Sequence, residues 1–181
     1  MRAFVAAWPD EATRHRLAAL ELELGHEKNL RLVGPTRWHI TLRFLGEVGE
    51  EQLSPLGDAL EARAAVLAGP VDCRLGPTTA WFTGVRVLQL PAHGLDALAE
   101  AVREATAPVV AERAGGAPPF NGHMTLARVK GHLGPRAQAE LDGIPFAAGF
   151  AVDHVDLVAS TPSPRGHVYT TIRRATLGAL A

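Results

Sequence analysis

Apolar and polar positions divide the chain into strand-like runs and helix-like segments. Short apolar runs predict strands over 2–8, 37–45, 71–76, 85–90, 123–130, 150–159 and 167–176. Apolar residues at intervals of three or four predict helices over 11–24, 50–67 and 94–113, and a short helix is predicted over 135–142. Pro108 predicts a kink or a break in the third helix. The predicted order is therefore β-α-β-α-β-β-α-β-α-β-β.

The strand predicted over 37–45 carries polar side chains between apolar ones. Ile40, Leu42 and Phe44 alternate on one face, which we expect to lie in the core. His39 and Thr41 share the opposite face. Burying these two without hydrogen-bond partners would cost about 1–3 kcal/mol each. They are therefore expected to face solvent, a cleft or each other.

The same tetrapeptide pattern returns later in the chain. His39-Ile-Thr-Leu42 is followed by His123-Met-Thr-Leu126, and Thr125 shares a strand face with His123. Each copy opens a predicted strand after a helix and a loop. Two copies indicate two similar lobes rather than a solenoid, because a repeat array needs at least three units. No low-complexity segment or long linker separates them, so residues 1–181 are predicted to form a single domain.

Two facing His-x-Thr units suit acid–base chemistry at a phosphate. The ordinary histidine pKa near 6.5 allows one imidazole to be neutral while the other is charged. The neutral ring takes a proton from an attacking hydroxyl or water, and the charged ring gives one to the leaving oxygen. Threonine hydroxyls donate to phosphate oxygens without adding charge. No metal-ligand spacing is present in the sequence, so neither a metal nor another cofactor is predicted.

The paired segments HITLRFLGEV (39–48) and HMTLARVK (123–130) resemble the two signature motifs of the 2H phosphoesterase superfamily. Within it, the chain is most similar to bacterial and archaeal RNA 2',3'-cyclic phosphodiesterases, also called 2'-5' RNA ligase-like proteins. The opening RAFVAAW (2–8) and the closing VDLVASTPSPRGHVYTTI (155–172) also resemble that group, so the likeness covers nearly the whole chain. The chain departs from the family in having Asn121-Gly122 where a proline commonly precedes the second histidine.

The resemblance implies an α+β fold with two pseudo-symmetric lobes, each with an antiparallel sheet and flanking helices around a central cleft. It implies hydrolysis of a terminal 2',3'-cyclic phosphate on RNA to a 2'-phosphate, with a weak 2'-5' joining activity. By analogy, His39 is the proton donor to the departing 3'-oxygen and His123 is the proton acceptor that activates water. Thr41 and Thr125 are expected to bind the substrate. The expected partners are RNA ends or nucleotides that carry a cyclic phosphate.

Other residues leave two interpretations open. Arg128 matches a basic residue of the family's second motif and is predicted to bind substrate. Strict alternation, however, places it opposite His123, so a bulge would be needed to bring it round. Arg43 shares the parity of His39 and faces either the cleft or solvent. Aromatic residues with a stacking or a packing role are Trp8, Trp38, Trp81 and Tyr169.

Net charge, the cysteine count and the lengths of the apolar runs exclude several classes of protein. The 181 residues have a formal net charge of -1 and a pI of about 6.7, which argues against general coating of nucleic acid. The lone Cys73 excludes an intramolecular disulfide. Pro9, Asp10 and Glu11 interrupt the opening apolar run before a signal sequence would be complete, and no run is long enough to span a membrane. We expect a monomer in the cytoplasm.

Two rival hypotheses remain at this stage. The first is a non-catalytic module that binds nucleotides or RNA ends in the same cleft, because a fold alone does not establish catalysis. The second is a metal site built on His39 and His123. Two histidines are a poor ligand set, and no carboxylate adjoins them in the sequence.

Overall fold

The computed structural model of the protein describes residues 1–82, 84–111, 119–164 and 166–179. The glycine- and proline-rich segment 114–122 and the predicted end of the third helix lie partly outside these residues. The helices are α1 (Glu11–Leu24), α2 (Glu50–Ala64), α3 (Asp96–Thr106) and α4 (Pro135–Leu141). The strands are β1 (Arg2–Ala7), β2 (Leu30–Leu32), β3 (Ile40–Glu47), β4 (Ala68–Gly69), β5 (Val71–Leu75), β6 (Ala80–Phe82), β7 (Val87–His93), β8 (His123–Val129), β9 (Ala148–Val152), β10 (His154–Ser163), β11 (Gly166–Thr176) and β12 (Gly178–Ala179).

The predicted elements are confirmed, with differences at their ends. Helix α1 has the predicted bounds and begins where the carboxylate of Asp10 accepts a hydrogen bond from the backbone N–H of Thr13 at 2.8 Å. Helix α3 ends at Thr106, ahead of Pro108. The single strand predicted over 150–159 is two strands, β9 and β10, separated at Asp153.

Ten of these strands form one antiparallel sheet in the order β11-β10-β1-β3-β8-β7-β5-β9, with β2 added to β8 and β6 added to β7. The two motif strands, β3 and β8, are neighbours in the middle of this order. They meet at one residue pair, Ile40 opposite Met124. Each half of the sheet, on either side of this bridge, corresponds to one predicted lobe.

The helices and the apolar side chains of the sheet form a common core. Helices α2 and α3 pack against β3, β10 and β11, whereas α1 packs against β2 and β9 of the other half. Both residues of the bridge, Ile40 and Met124, are fully buried. They anchor the motif strands in the core. The histidine and threonine on either side of each of them therefore lie on the opposite face of the sheet.

The alternation predicted for β3 holds through the buried Leu42 and fails from Arg43 onward. The pairing of β3 with β1 skips Leu42 and Leu45, which marks two bulges. The prediction of a core position for Phe44 is wrong: its side chain is 73% exposed, and Leu45 is buried in its place. A bulge adds one residue to the strand, so every later side chain changes face.

The same bulges explain the position of Arg43. Its guanidinium donates hydrogen bonds to the carbonyls of Arg103 and Val110 and to the hydroxyl of Thr106, at 2.8, 3.1 and 2.6 Å. Arg43 therefore lies on the helix side of the sheet, at the C-terminal end of α3. Both expectations for this residue, a cleft position and a solvated one, are wrong.

Candidate active site

The bridge between β3 and β8 brings the two His-x-Thr units together. Because Ile40 lies opposite Met124 in an antiparallel pair, His39 lies across from Thr125 and Thr41 across from His123. All four side chains are half-buried on one face. Neither threonine hydroxyl donates a hydrogen bond to another residue within the described ranges, so both remain available as donors to a ligand.

Both imidazoles are held by the same local contact. Nδ1 of His39 donates to the carbonyl of Arg37 at 2.6 Å, and Nδ1 of His123 donates to the carbonyl of Asn121 at 2.8 Å. In each case the acceptor lies two residues before the histidine. The bond fixes the ring orientation and leaves Nε2 as the nitrogen available for proton transfer.

The chain before His39 holds this carbonyl in place. Residues Pro35–Arg37 form a single 3-10 turn, and Arg14 of α1 donates to the carbonyl of Pro35 at 2.6 Å. Trp38 is 1% exposed and anchors the chain in the core. Because Trp38 points inward, His39 points to the opposite face of the strand.

The chain before His123 is held by close packing at Gly122. The Gly122 carbonyl accepts a hydrogen bond from the backbone N–H of Ala92 at 2.8 Å. A Cβ atom at position 122 would collide with the carbonyl oxygen of Ala92. The departure from the family pattern at Asn121-Gly122 therefore gives a tightly packed approach to the second histidine.

Aromatic rings enclose His39 more than His123. The rings of Phe4, Tyr169 and Trp8 lie 4.9, 5.2 and 5.5 Å from the His39 ring. Phe82 stacks on His123 at 4.9 Å. Burial lowers the pKa of His39 to about 4, against the opposing effect of its bond to the Arg37 carbonyl. His39 is therefore neutral in the ligand-free protein at neutral pH.

Arg128 lies on the same face as the histidines. The pairing of β8 with β7 skips Leu126, and Leu126 and Ala127 are both buried in succession. A substrate-binding position for Arg128 requires such a bulge. It turns the side chain of Arg128 to the same face as His123. Electrostatic repulsion from Arg128, and from the His123 ring whenever it is protonated, also lowers the pKa of His39, as expected for groups that face one cleft.

Sequence reasoning missed two site residues, and for two tryptophans the structure decides between the packing and stacking roles left open above. Phe4 and Phe82 were not singled out, although each stacks on a histidine. Trp38 is buried in the core, and the indole of Trp81 donates to the carbonyl of Gln138 at 3.0 Å, so neither has a stacking role at the site. Trp8 and Tyr169 do lie at the site.

A metal centre has little support in this cleft. No three His, Cys, Asp or Glu side chains within the described ranges are grouped closely enough to hold a metal ion together. Arg128 is a cation whose charge acts on the His39 ring. A cationic neighbour favours an anionic ligand over a metal ion.

Comparisons with known proteins agree with this arrangement. A family model described as the 2'-5' RNA ligase superfamily matches residues 8–162. A relative from Thermus thermophilus, named RNA 2',3'-cyclic phosphodiesterase, is 34% identical over 98% of this chain and 90% of its own length. The crystal structure of TT0787 of Thermus thermophilus superposes with a TM-score of 0.86 at 32% identity, covering all of both chains. The apo structure of E. coli LigT gives 0.74 at 25% identity, covering 98% of this chain and 97% of LigT.

The chain therefore belongs to the 2'-5' RNA ligase superfamily, as its motifs indicated. The α+β class and the two-lobed plan are confirmed by the superpositions. None of the helices within the described ranges is long and apolar enough to cross a membrane.

Proposed function

We propose that this protein is an RNA 2',3'-cyclic phosphodiesterase that converts a terminal cyclic phosphate to a 2'-phosphate without a metal ion. The observation that carries the proposal is the facing pair of imidazoles. Each presents Nε2 because its Nδ1 is bonded to a carbonyl two residues earlier. Two imidazoles on either side of one phosphorus can supply the acid and the base for an in-line displacement.

His123 is proposed to take a proton from water as the water oxygen attacks the phosphorus. His39 then gives a proton to the 3'-oxygen as the P–O3' bond breaks, which leaves the phosphate on O2'. Burial keeps His39 neutral in the free protein, so the donor role requires the substrate anion to raise the pKa of His39 on binding. The low polarity around His39 strengthens that attraction.

Thr41, Thr125 and Arg128 are proposed to hold the non-bridging oxygens. The two hydroxyls are half-buried beside the imidazoles, and Arg128 is exposed on the same face. A guanidinium can meet two phosphate oxygens at once. When an RNA 5'-hydroxyl replaces water, the same displacement gives a 2'-5' linkage, so we expect weak joining activity as well.

The charge and the single cysteine of the chain bear on its partners and its compartment. RNA ends and nucleotides with a cyclic phosphate are the proposed partners, because the near-neutral net charge suits recognition of an end rather than a long duplex. The single cysteine, Cys73, is buried and unpaired, which fits a reducing compartment such as the cytoplasm. A monomeric state and a single domain over 1–181 stay predictions.

The direct test is product analysis on an oligoribonucleotide that ends in a 2',3'-cyclic phosphate, in the presence of a chelator. We expect a 2'-phosphate, at a rate that the chelator leaves unchanged. A 3'-phosphate would exchange the roles of the two histidines. Binding without turnover would indicate a nucleotide-binding module, and loss of activity with the chelator would indicate a metal site.

A further inference from the structure

Two arginines lie directly opposite each other in the sheet, close to the two histidines. Arg31 on β2 is paired with Arg128 on β8 in an antiparallel register. Directly opposite residues of an antiparallel pair have Cβ atoms about 4.5–5.5 Å apart. Both side chains are exposed, and neither has a hydrogen bond or an ion pair with another of the described residues. Like charges in such positions destabilise a sheet, so the pair calls for an explanation.

The neighbours of each arginine show that it points to the face of the histidines. Leu30 is buried in the core and Leu32 packs against it, so Arg31 between them projects from the opposite face. On β8, Ala127 is buried and Val129 packs against the same core, so Arg128 also projects away from the helices. The two guanidinium groups therefore stand together on the open face of the sheet.

The arginine pair continues the row of site residues along β8. His39 lies across from Thr125, and the backbone N–H of Val33 donates to the carbonyl of Leu126 at 2.9 Å, so β2 takes the place of β3 beside β8 from this point. Arg31 and Arg128 are the next opposed pair on this face. Arg128 follows Thr125 by three residues, which span about 10 Å at most. The arginine pair thus lies one step along the cleft from the proposed site of the reacting phosphate.

The chemistry of two facing guanidinium groups selects an anion with several acceptor oxygens. A phosphate placed between them relieves their repulsion and accepts from both forks. Arg128 has more N–H donors than the reacting phosphate needs, so it can contact two phosphates at once. On an RNA end, the anion nearest to the cyclic phosphate is the phosphate on the 5'-oxygen of the same nucleoside. One ribose separates the two groups.

We propose that Arg31, with the remaining N–H groups of Arg128, binds the phosphate on the 5'-oxygen of the nucleoside that carries the cyclic phosphate. This inference rests on the proposed function and adds the class of substrate to it. The preferred substrate is a 2',3'-cyclic phosphate whose nucleoside also has a 5'-linked phosphate. In RNA this group is the phosphodiester to the preceding nucleotide, and in a small substrate it is a 5'-phosphate.

Three substrates test this preference and separate the two sources of the phosphate. They are adenosine 2',3'-cyclic phosphate with a free 5'-hydroxyl, the same compound with a 5'-phosphate, and a dinucleotide that ends in the cyclic phosphate. In wild type, kcat/KM should be about tenfold higher for both substrates with a 5'-linked phosphate, chiefly through a lower KM. Added NaCl should reduce this advantage, because the arginines are exposed.

Substitutions at position 31 should change the preference without loss of stability. Arg31→Gln should reduce the ratio of kcat/KM between the 5'-phosphate and 5'-hydroxyl substrates about tenfold. Arg31→Lys keeps the charge but not the planar fork, so it should keep part of the preference. Arg31→Gln should keep or raise the melting temperature, because it relieves the repulsion from Arg128. A purely structural role for Arg31 would give a lower melting temperature and an unchanged ratio.

Arg16 provides a matched control for the loss of one positive charge. It is exposed on α1, on the helix side of the sheet, with its guanidinium 5.5 Å from the centre of the Phe146 ring. Arg16→Gln should keep the wild-type ratio between the 5'-phosphate and 5'-hydroxyl substrates. An equal fall of the ratio in Arg16→Gln and Arg31→Gln would mean that net charge, not a site, sets the preference, and would refute the proposal.

A binding measurement keeps this test separate from the test of turnover. Calorimetric titration compares adenosine 2'-phosphate with adenosine 2',5'-bisphosphate, and wild type should bind the bisphosphate about tenfold more tightly. If wild type turns over none of the three substrates, the proposed function fails, and the affinity ratio still tests Arg31. Equal affinities in wild type, or the same ratio in Arg31→Gln, would refute the site. A preference for the dinucleotide alone would also refute it, since the preceding nucleoside would then be recognised instead of the phosphate.

Discussion

The enclosure of His39 by aromatic rings leads to a prediction about its titration. Phe4, Trp8 and Tyr169 surround this imidazole at ring distances of 4.9, 5.5 and 5.2 Å, and burial lowers its pKa from 6.5 to about 4. At pH 5 a group with this pKa is about nine-tenths neutral, whereas an exposed histidine is about 3% neutral. Replacing Tyr169 with alanine opens one side of the enclosure to water, so the pKa of His39 should rise.

The size of this change follows from the number of rings. Burial is the largest cause of the lowered pKa of His39, and these three rings supply much of that burial, so opening one side should raise the pKa by about one unit, equivalent to about 1.4 kcal/mol. Tyr169→Phe keeps the ring and removes the hydroxyl, so the pKa of His39 should stay at about 4. This pair of variants separates the effect of burial from that of the phenol group.

The assay is an NMR titration of the histidine ring carbons, with His39 assigned from the spectrum of His39→Gln. In wild type, the His39 signal should not move between pH 8 and about pH 5. In Tyr169→Ala the His39 signal should begin to move at a pH about one unit higher. A wild-type midpoint near 6.5 would refute the burial argument, and so would equal midpoints for Tyr169→Ala and Tyr169→Phe.

Three further predictions concern stability, each measured by urea denaturation. Arg43→Met should destabilise the protein by about 2 kcal/mol, because three acceptors at the end of α3 lose their donor, and activity should survive in the folded fraction. Arg174→Met should cost about 3 kcal/mol because it leaves the Asp156 carboxylate, 1% exposed, without its cation and with a 3.3 Å hydrogen bond from the Thr171 hydroxyl; adding Asp156→Leu should recover most of this loss. Since the folded pKa of His39 lies below 6.5, the unfolded chain binds more protons, and stability should fall by up to about 3 kcal/mol as the pH drops from 6.5 to about 4. His39→Gln should lack this component, and an unchanged slope would contradict it.

The sequence predicted that the two His-x-Thr units share a face because the motif strands alternate regularly at the proposed site. His39 and Thr41 share a face with His123 and Thr125, and the buried Ile40 and Met124 fix that face. Two residues of each motif are enough to define the parity of a strand. The pairing of the two strands is a long-range property, and the repeated tetrapeptide was its sequence signal.

The residues whose face strict alternation cannot predict lie beyond bulges. Phe44 and Arg43 follow the bulge at Leu42, and Arg128 follows the bulge at Leu126. A bulge depends on the register between strands that are distant in sequence, so alternation within one strand cannot reveal it. The basic residue of the second motif was the one hint that Arg128 belonged to the site.

The claim that His39 and His123 act together is tested most directly by single-turnover rates on RNA ending in a 2',3'-cyclic phosphate. The comparison includes wild type, His39→Ala, His123→Ala and the double variant. Each single variant should lose about 10²–10⁴ in rate, and the double variant should lose little more, because two groups that act as a unit are not additive. A wild-type rate in either single variant would contradict the account.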